Sequence, residues 1–152
     1  MSLRQAIDLA IEVETLISVC YQKTSELCPE VDLASVLTRM SREEIQHAHL
    51  LRAGKTYLNQ APEAFSQERV KVAEIEAGLM GTAELLSEIE SQKLSFFQII
   101  ERLRQLESEL EKVHLNSIAV INDENLKRLF KALAGEDQKH VDSLSELLER
   151  LK

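Results

Sequence analysis

Four stretches of this chain carry apolar residues at alternating spacings of three and four, which is the pattern of a helix that buries one face. Each stretch runs for roughly 25 residues, or about 38 Å as a helix. Pro29 is expected to end the first helix, and Asp32 to act as the N-cap of the second. Asn122-Asp123 separates the third from the fourth. Such short connections predict two antiparallel helical hairpins.

A longer connection joins the two predicted hairpins, from about Gln60 to Ser95. It is too long for a tight turn and too rich in Val, Ile, Leu and Glu for a disordered linker. We expect a crossover with one or two short helices, broken near Gly78 and Gly81. The prediction is therefore all-α: a ferritin-like four-helix bundle of two antiparallel hairpins joined by a long, partly helical crossover. A length of 152 residues suits one domain over 1–152.

The apolar residues of each stretch form a seam along the face that the helix buries. Acidic and histidine side chains occupy positions in these apolar seams where a packed bundle would have aliphatic residues. They form one pattern written twice, a carboxylate followed 30 residues later by an acid-x-x-His pair, with an offset of 93 between the copies. The offset suggests a duplicated hairpin. The first copy is Glu14, Glu44 and His47, and the second is Glu107, Asp137 and His140.

Buried carboxylates at these positions would destabilise the fold unless something neutralised them. An ionised carboxylate without a partner costs several kcal/mol on burial, and four that converge also repel one another. Two divalent cations would balance four carboxylates, and the i,i+3 spacing lets an acid and its histidine reach the same ion. We therefore predict a dinuclear metal centre with these six residues as ligands. Glu and His side chains suit two iron ions, with manganese or zinc as alternatives.

Neighbouring residues leave some alternatives open. Glu43 and Glu136 lie four residues before the histidines and offer a rival pairing, although the apolar seam favours Glu44 and Asp137. Glu111 lies one turn from the ligand on the third helix and is a candidate additional ligand. His49 lies off the seam and is expected at the surface.

Tyr21 and His114 occupy matching positions, each seven residues after the first carboxylate of its copy. Both side chains could simply fill the core. We favour a role for Tyr21 in supporting the carboxylates by hydrogen bonding. Because its hydroxyl could also relay a proton, Tyr21 is the one candidate catalytic residue. His114 could support the carboxylates in the same way or be an extra metal ligand.

Three motifs resemble the rubrerythrin branch of the ferritin-like superfamily: Glu14 with Tyr21 seven residues later, the run Met40–Ala48, and the run Gly135–His140. The resemblance implies a di-iron centre that reduces hydrogen peroxide, with relatives that oxidise ferrous iron or activate oxygen. It also implies ligand roles: Glu14 and Glu107 would be terminal ligands, Glu44 and Asp137 would bridge the irons, and His47 and His140 would each bind one iron.

The chain departs from that family pattern at three points. Asp137 replaces the usual Glu, and Leu110 stands where the family has a further Glu three residues after the ligand on the third helix. The rubredoxin module is missing, so electrons would come from a separate donor protein or directly from ferrous iron. These departures motivate the alternative of a non-catalytic metal-binding, storage or interaction protein.

Composition narrows the partners and the compartment. A formal net charge of −8 argues against a nucleic-acid-binding protein, which normally carries a basic surface. No apolar run has the length of a membrane span and no signal-peptide pattern opens the sequence. Cys20 and Cys28 are expected to be reduced, as in the cytoplasm. Apolar residues outside the seams would either support a homodimer or pack within the chain: Leu85, Leu86, Phe96 and Phe97.

Overall fold

Every regular element is an α-helix in the computed structural model, which describes residues 3–60 and 73–152. Helices α1, α2, α4 and α5 form the bundle, and α3 packs against α1 and α4. This confirms the predicted all-α fold with a partly helical crossover. The helices are α1 (Leu3–Leu27), α2 (Val31–Gln60), α3 (Ala73–Glu90), α4 (Phe96–Val120) and α5 (Glu124–Arg150).

Side-chain contacts show that α1 and α2 run in opposite directions. Asp8, near the start of α1, forms an ion pair of 2.7 Å with Lys55, near the end of α2. Halfway along, Ser18 and Ser41 form hydrogen bonds with each other. Residue numbers rise along one helix as they fall along the other, so the predicted first hairpin is confirmed.

The second hairpin has the same antiparallel arrangement. Glu107 on α4 contacts His140 on α5, and His114, two turns further along α4, contacts Asp137. The sequence expectation of a tight turn before α5 also holds, because Asp123 caps that helix by accepting hydrogen bonds from backbone N–H groups of its first turn. Both hairpins therefore place their central residues at the same level of the bundle.

The ends of the first two helices partly match the prediction. Helix α1 ends two residues before Pro29, as expected from the steric restriction that proline places on the preceding residue. The N-cap expectation for Asp32 is wrong. The carbonyl of Glu30 already accepts a hydrogen bond from the N–H of Ala34, at 3.0 Å, so α2 begins before Asp32. The Asp32 carboxylate instead lies in the first turn, where the helix dipole favours a negative charge.

The predicted break near Gly78 and Gly81 is wrong. Helix α3 continues through both glycines, and neither has a positive φ. The helix buries Ile75, Leu85 and Ile89 in the core of the bundle. Burial of each of these side chains contributes roughly 1.5–3 kcal/mol, which outweighs about 1 kcal/mol lost per helical glycine. The remaining connecting residues, 61–72, lie outside the described part of the chain, so any helix expected there is not described.

The predicted seams form the core. The residues at the seam positions are buried except for Cys28 and Leu151, which are half-buried at helix ends. The seam positions are Leu3, Ile7, Ala10, Glu14, Ile17, Tyr21, Thr24 and Cys28 in the first stretch, Leu33, Leu37, Met40, Glu44, His47, Leu51, Gly54 and Leu58 in the second, Ile100, Leu103, Glu107, Leu110, His114, Ser117 and Ile121 in the third, and Leu126, Phe130, Leu133, Asp137, His140, Leu144, Leu147 and Leu151 in the fourth. The apolar residues outside the seams also pack within the chain. Leu85 is fully buried, and Leu86, Phe96 and Phe97 are partly buried against the core. The alternative in which these side chains drive dimerisation is therefore not needed to explain them, although a homodimer stays a prediction.

Replacing Gly78 with alanine tests whether α3 is a continuous helix. A Cβ at Gly78 would meet nothing within 4 Å, so Gly78→Ala should raise the free energy of unfolding by about 0.5–1 kcal/mol in urea denaturation. Gly135 in α5 has equally open surroundings, and Gly135→Ala is the matched control. Stabilisation by the control alone would mean that the chain bends at Gly78.

Candidate metal centre

All six residues of the repeated pattern meet at the centre of the bundle. The i,i+3 spacing keeps the acid and the histidine of each pair on one face of its helix, and that face points inward. The four carboxylates are 0% exposed, and the two histidines are 2–3% exposed. Helix α1 contributes Glu14, α2 contributes Glu44 and His47, α4 contributes Glu107, and α5 contributes Asp137 and His140.

Candidate ligand atoms form three overlapping clusters within the described residues. In each cluster, one oxygen or nitrogen from every member lies within 4.8 Å of the others. Glu14 and Glu44 each belong to two clusters, so they stand between neighbouring positions. The clusters are Glu14 with Glu44 and His47, Glu44 with Glu107 and His140, and Glu14 with His114 and Asp137.

The first two clusters place histidine nitrogens on either side of Glu44. His47 Nδ1 lies 3.3 Å from one oxygen of Glu44 and 3.7 Å from Glu14 Oε2. His140 Nδ1 lies 2.8 Å from the other oxygen of Glu44 and 3.1 Å from Glu107 Oε1. Only the contact with Glu107 has hydrogen-bond geometry. Glu44 thus lies where a carboxylate shared by two cations would lie.

Asp137 occupies a different position from the one that the repeat suggests. By analogy with Glu44 and His47, it would be grouped with His140. Instead its Oδ2 lies 2.6 Å from Nδ1 of His114, and it shares a cluster with His114 and Glu14. Asp137 has one methylene fewer than Glu44, so its carboxylate stays closer to its own backbone. The two halves of the centre are therefore not equivalent.

The unpaired atoms of the centre fit a metal site. In residues 3–60 and 73–152, the buried side-chain oxygens and nitrogens without a hydrogen-bond partner all belong to the six predicted ligands. Buried polar groups in folded proteins are normally hydrogen-bonded, and each exception destabilises the fold. Carboxylate oxygens and imidazole nitrogens are also the donors that borderline divalent cations prefer. The atoms are Glu14 Oε1 and Oε2, Glu44 Oε1 and Oε2, His47 Nδ1, Glu107 Oε2, Asp137 Oδ1 and His140 Nε2.

A family comparison agrees with this geometry. A family model described as Rubrerythrin matches residues 5–148. The chain belongs to the rubrerythrin family. The family is part of the ferritin-like di-iron superfamily, which agrees with the all-α bundle and with its buried Glu and His groups that could hold metal. No curated protein and no solved structure gives a significant match. In the part of the chain that the structure describes, no helix is long and apolar enough to span a membrane.

The alternative ligand candidates of this rubrerythrin-family protein lie outside the three clusters. Glu43, Glu111 and Glu136 are half-buried, and His49 is exposed, as expected for that residue. Glu43 Oε1 lies 3.8 Å from the outer nitrogen of His140. Glu43 therefore lies beside the centre without a hydrogen bond to His140.

Tyr21 contacts the centre from α1. Its buried hydroxyl donates a hydrogen bond of 2.6 Å to Glu107 Oε1, which agrees with the supporting role favoured from the sequence. Burial, followed by the negative charge of Glu107, raises the pKa of Tyr21 well above its ordinary value. The phenol therefore keeps its proton and remains a donor near neutral pH. His114 contacts Asp137 from the matching position on α4.

Sequence reasoning missed a hydrogen-bonded pair beside the centre. Ser18 Oγ donates to the carbonyl of Ser41 at 2.9 Å, and Ser41 Oγ donates to the carbonyl of Ser18 at 2.8 Å. Both serines lie within one turn of a predicted ligand, Glu14 or Glu44. The only available signal was two small residues beside ligands on facing helices. The pair fixes how α1 and α2 are aligned, and hence the spacing of Glu14 and Glu44.

Burial and mutual repulsion control the charge of the carboxylates. Burial is the main reason that the pKa values of Glu14 and Glu44 are well above the ordinary value, and the neighbouring carboxylates add to this shift. Burial also raises the pKa of Asp137, although the contact with His114 opposes the shift. Burial would raise the pKa of Glu107 as well, but the contacts with His140, Glu44 and Tyr21 together outweigh burial and leave this pKa lowered. Without metal, the centre therefore retains protons.

The three buried histidines also bind protons more tightly in the folded protein. Burial acts to lower the pKa values of His47, His114 and His140. Hydrogen bonding and charge from a neighbouring carboxylate outweigh burial in each case, so all three pKa values are raised. Protonated histidines can thus offset part of the negative charge, but a divalent cation must displace those protons to bind.

The metal-free protein should lose stability as pH rises. Raised pKa values belong to Glu14, Glu44, Asp137 and the three histidines. The stability that such a group contributes is greatest below its ordinary pKa, which is 3.8–4.5 for the acids and 6.5 for histidine, and it is lost as pH rises through the raised pKa. Glu107, with its lowered pKa, opposes this trend. We expect the urea midpoint of chelator-treated protein to fall between about pH 5 and about pH 8.

Glu14→Gln tests the cause of this pH dependence, because the substitution removes one buried acid. The variant should show a weaker decline than the wild-type protein over the same pH range. A metal-free wild-type midpoint that rises with pH would contradict the electrostatic description of the centre.

Proposed function

We propose that this protein is a di-iron oxidoreductase that reduces hydrogen peroxide or oxygen, or oxidises ferrous iron, at the centre of its bundle. The observation that carries the proposal is the set of buried carboxylate and imidazole atoms left without hydrogen-bond partners. Family membership supports it, because rubrerythrin-family proteins are typically di-iron oxidoreductases. When bound, two ferrous ions would supply the two electrons that convert one peroxide and two protons into two water molecules.

We assign the six predicted residues to the iron centre, five of them as direct ligands. Glu14 and His47 would hold one iron, Glu107 and His140 would hold the other, and Glu44 would lie between them. The contacts of His47 and His140 with opposite oxygens of Glu44 support this arrangement. Asp137 supplies the fourth negative charge, so that two divalent cations leave the buried centre neutral.

Apolar side chains keep bulk water away from the centre. On α2, Met40 lies one turn before Glu44 and Leu51 one turn after His47, and both are 0% exposed. On α4, Leu103 and Leu110 flank Glu107 in the same way, at 0% and 4% exposed. A dry site strengthens the attraction between carboxylates and cations and excludes side reactions with solvent.

We propose that Tyr21 relays protons to the centre. Its hydroxyl touches a carboxylate that would bind iron, and its pKa is raised, so it carries a proton at neutral pH. We propose that the hydroxyl acts as a relay, giving its proton towards Glu107 and taking up another from solvent in exchange, so that no phenolate remains beside the carboxylate. Electrons would come from a separate donor protein or from further ferrous iron. A cytoplasmic location is part of the same proposal.

A second candidate function is metal binding or storage without catalysis. Two observations favour it. Leu110 is a buried aliphatic residue where the family pattern has Glu, and Asp137 contacts His114 rather than joining the cluster of His140. Such a protein would take up iron but would not consume peroxide when a reductant is present.

Iron content tests the ligand assignment. Wild-type protein loaded under anaerobic conditions should hold about two irons per chain by elemental analysis. Glu44→Ala removes the shared carboxylate, so we expect one iron or less, and His47→Ala should weaken binding at one position. Glu43→Ala and His49→Ala are matched controls, because neither residue belongs to a cluster. Unchanged iron content in Glu44→Ala would show that the iron lies elsewhere.

Peroxide consumption tests the proton role and separates the two candidate functions. Tyr21→Phe should retain its iron and lose roughly tenfold or more of its rate, since general acid catalysis commonly contributes at least that much. Tyr57 is the other tyrosine, and its hydroxyl bonds Asp123 away from the centre, so Tyr57→Phe should keep the wild-type rate. Iron-loaded wild-type protein that consumes no peroxide would favour the storage candidate instead.

A further inference from the structure

His114 is a third buried histidine at the centre and is not among the six residues assigned above. It is 1% exposed and forms a cluster with Glu14 and Asp137. The matching position on α1 holds Tyr21, a phenol that donates a hydrogen bond to Glu107. A phenol with a retained proton only supports a neighbouring ligand, whereas an imidazole can also bind a cation through a nitrogen lone pair.

The short contact with Asp137 determines which nitrogen of His114 is free to bind. Nδ1 of His114 lies 2.6 Å from Asp137 Oδ2. Beside a divalent cation Asp137 would be ionised, and an ionised carboxylate only accepts hydrogen bonds, so Nδ1 would carry the hydrogen. In the neutral ring, the lone pair is then on Nε2.

Nε2 of His114 faces a carboxylate that needs a partner. It lies 3.9 Å from Glu14 Oε1, and both oxygens of Glu14 are buried without hydrogen-bond partners. Two ligand atoms on one cation, each with a bond of about 2.0–2.2 Å, lie no more than roughly 4.2 Å apart. One cation can therefore contact Nε2 and Glu14 together with little movement of either side chain.

Surrounding groups hold the ring in this orientation. Asp137 contacts one edge of the His114 ring, and the Phe130 ring lies against the same ring with 5.9 Å between the ring centroids. A histidine that binds metal through one nitrogen usually donates its other N–H to a carboxylate or carbonyl, which fixes the tautomer and the direction of the lone pair. The arrangement of Asp137 and His114 is of this kind.

We propose that His114 binds a divalent cation of this centre through Nε2, with Glu14 as a fellow ligand and Asp137 as the carboxylate that positions the ring. The inference rests on the metal centre proposed above. It gives the centre three histidine ligands, and it gives Asp137 a positioning role through His114 in place of the bridging role implied by the family resemblance.

Proton NMR of the cobalt(II)-loaded protein in water tests this assignment without any activity measurement. A histidine bound to cobalt through one nitrogen shows a strongly shifted, exchangeable proton on the other nitrogen, and histidine labelled with ¹⁵N identifies these signals. Three such signals are expected for the wild-type protein, from His47, His114 and His140. Two signals would show that His114 is only a hydrogen-bond donor and would overturn the inference, while the proposed centre would stand.

Variants assign the third signal. His114→Gln should bind cobalt and show two shifted signals, and Tyr21→Phe, altered at the matching position, should keep three. Asp137→Asn should move the His114 signal and leave the other two in place; a change in all three would contradict the positioning role. If His114→Gln fails to fold by circular dichroism, the wild-type count still decides. Wild-type protein that binds no cobalt or iron would overturn the metal centre itself.

Discussion

Four fully buried carboxylates at one level of a helical bundle are the constraint on which the rest of this structure depends. Their charges repel one another in a region with little water, so the fold needs cations or protons there. The helices provide the opposing stabilisation, because aliphatic side chains fill the seams above and below the acids. The same apolar surroundings that make the charges costly also make the centre attractive to divalent cations. A cation bound there would therefore stabilise the fold through the same atoms whose burial destabilises it.

Inequivalence of the two hairpins is the main way in which this centre differs from a symmetric one. In the first hairpin, the acid and histidine of α2 face each other and Glu14. In the second, the shorter Asp137 contacts His114, and His140 contacts Glu44 and Glu107 instead. On α5, Asp137 stands where α2 has a glutamate, and on α4, His114 stands where α1 has Tyr21. Both changes affect the same end of the centre, next to Glu14.

The sequence was sufficient to predict the helices, the hairpins and the convergence of the six polar residues. These features follow from helical periodicity, because the spacing of apolar residues determines which face each helix buries. The errors have a different cause. The break near Gly78 and the cap at Asp32 were inferred from local propensity, and packing in the tertiary structure overrides propensity. The pairing of Asp137 with His114 depends on differences of about one bond length, which periodicity does not determine.

The hydrogen-bonded serines of the first hairpin have no counterpart in the second. The positions 93 residues after Ser18 and Ser41 hold Glu111 and Ala134, which cannot form the same reciprocal pair. The alignment of α1 and α2 is therefore held by two serines that are not candidate ligands. In contrast, α4 and α5 are aligned by contacts of the centre itself, His114 with Asp137 and His140 with Glu107. The residues that break the symmetry of the centre, His114 and Asp137, both lie in the hairpin without the serine pair. A cation bound to these groups would therefore act directly on the alignment of α4 and α5, while the serine pair would hold α1 and α2 in the same alignment with or without a bound cation.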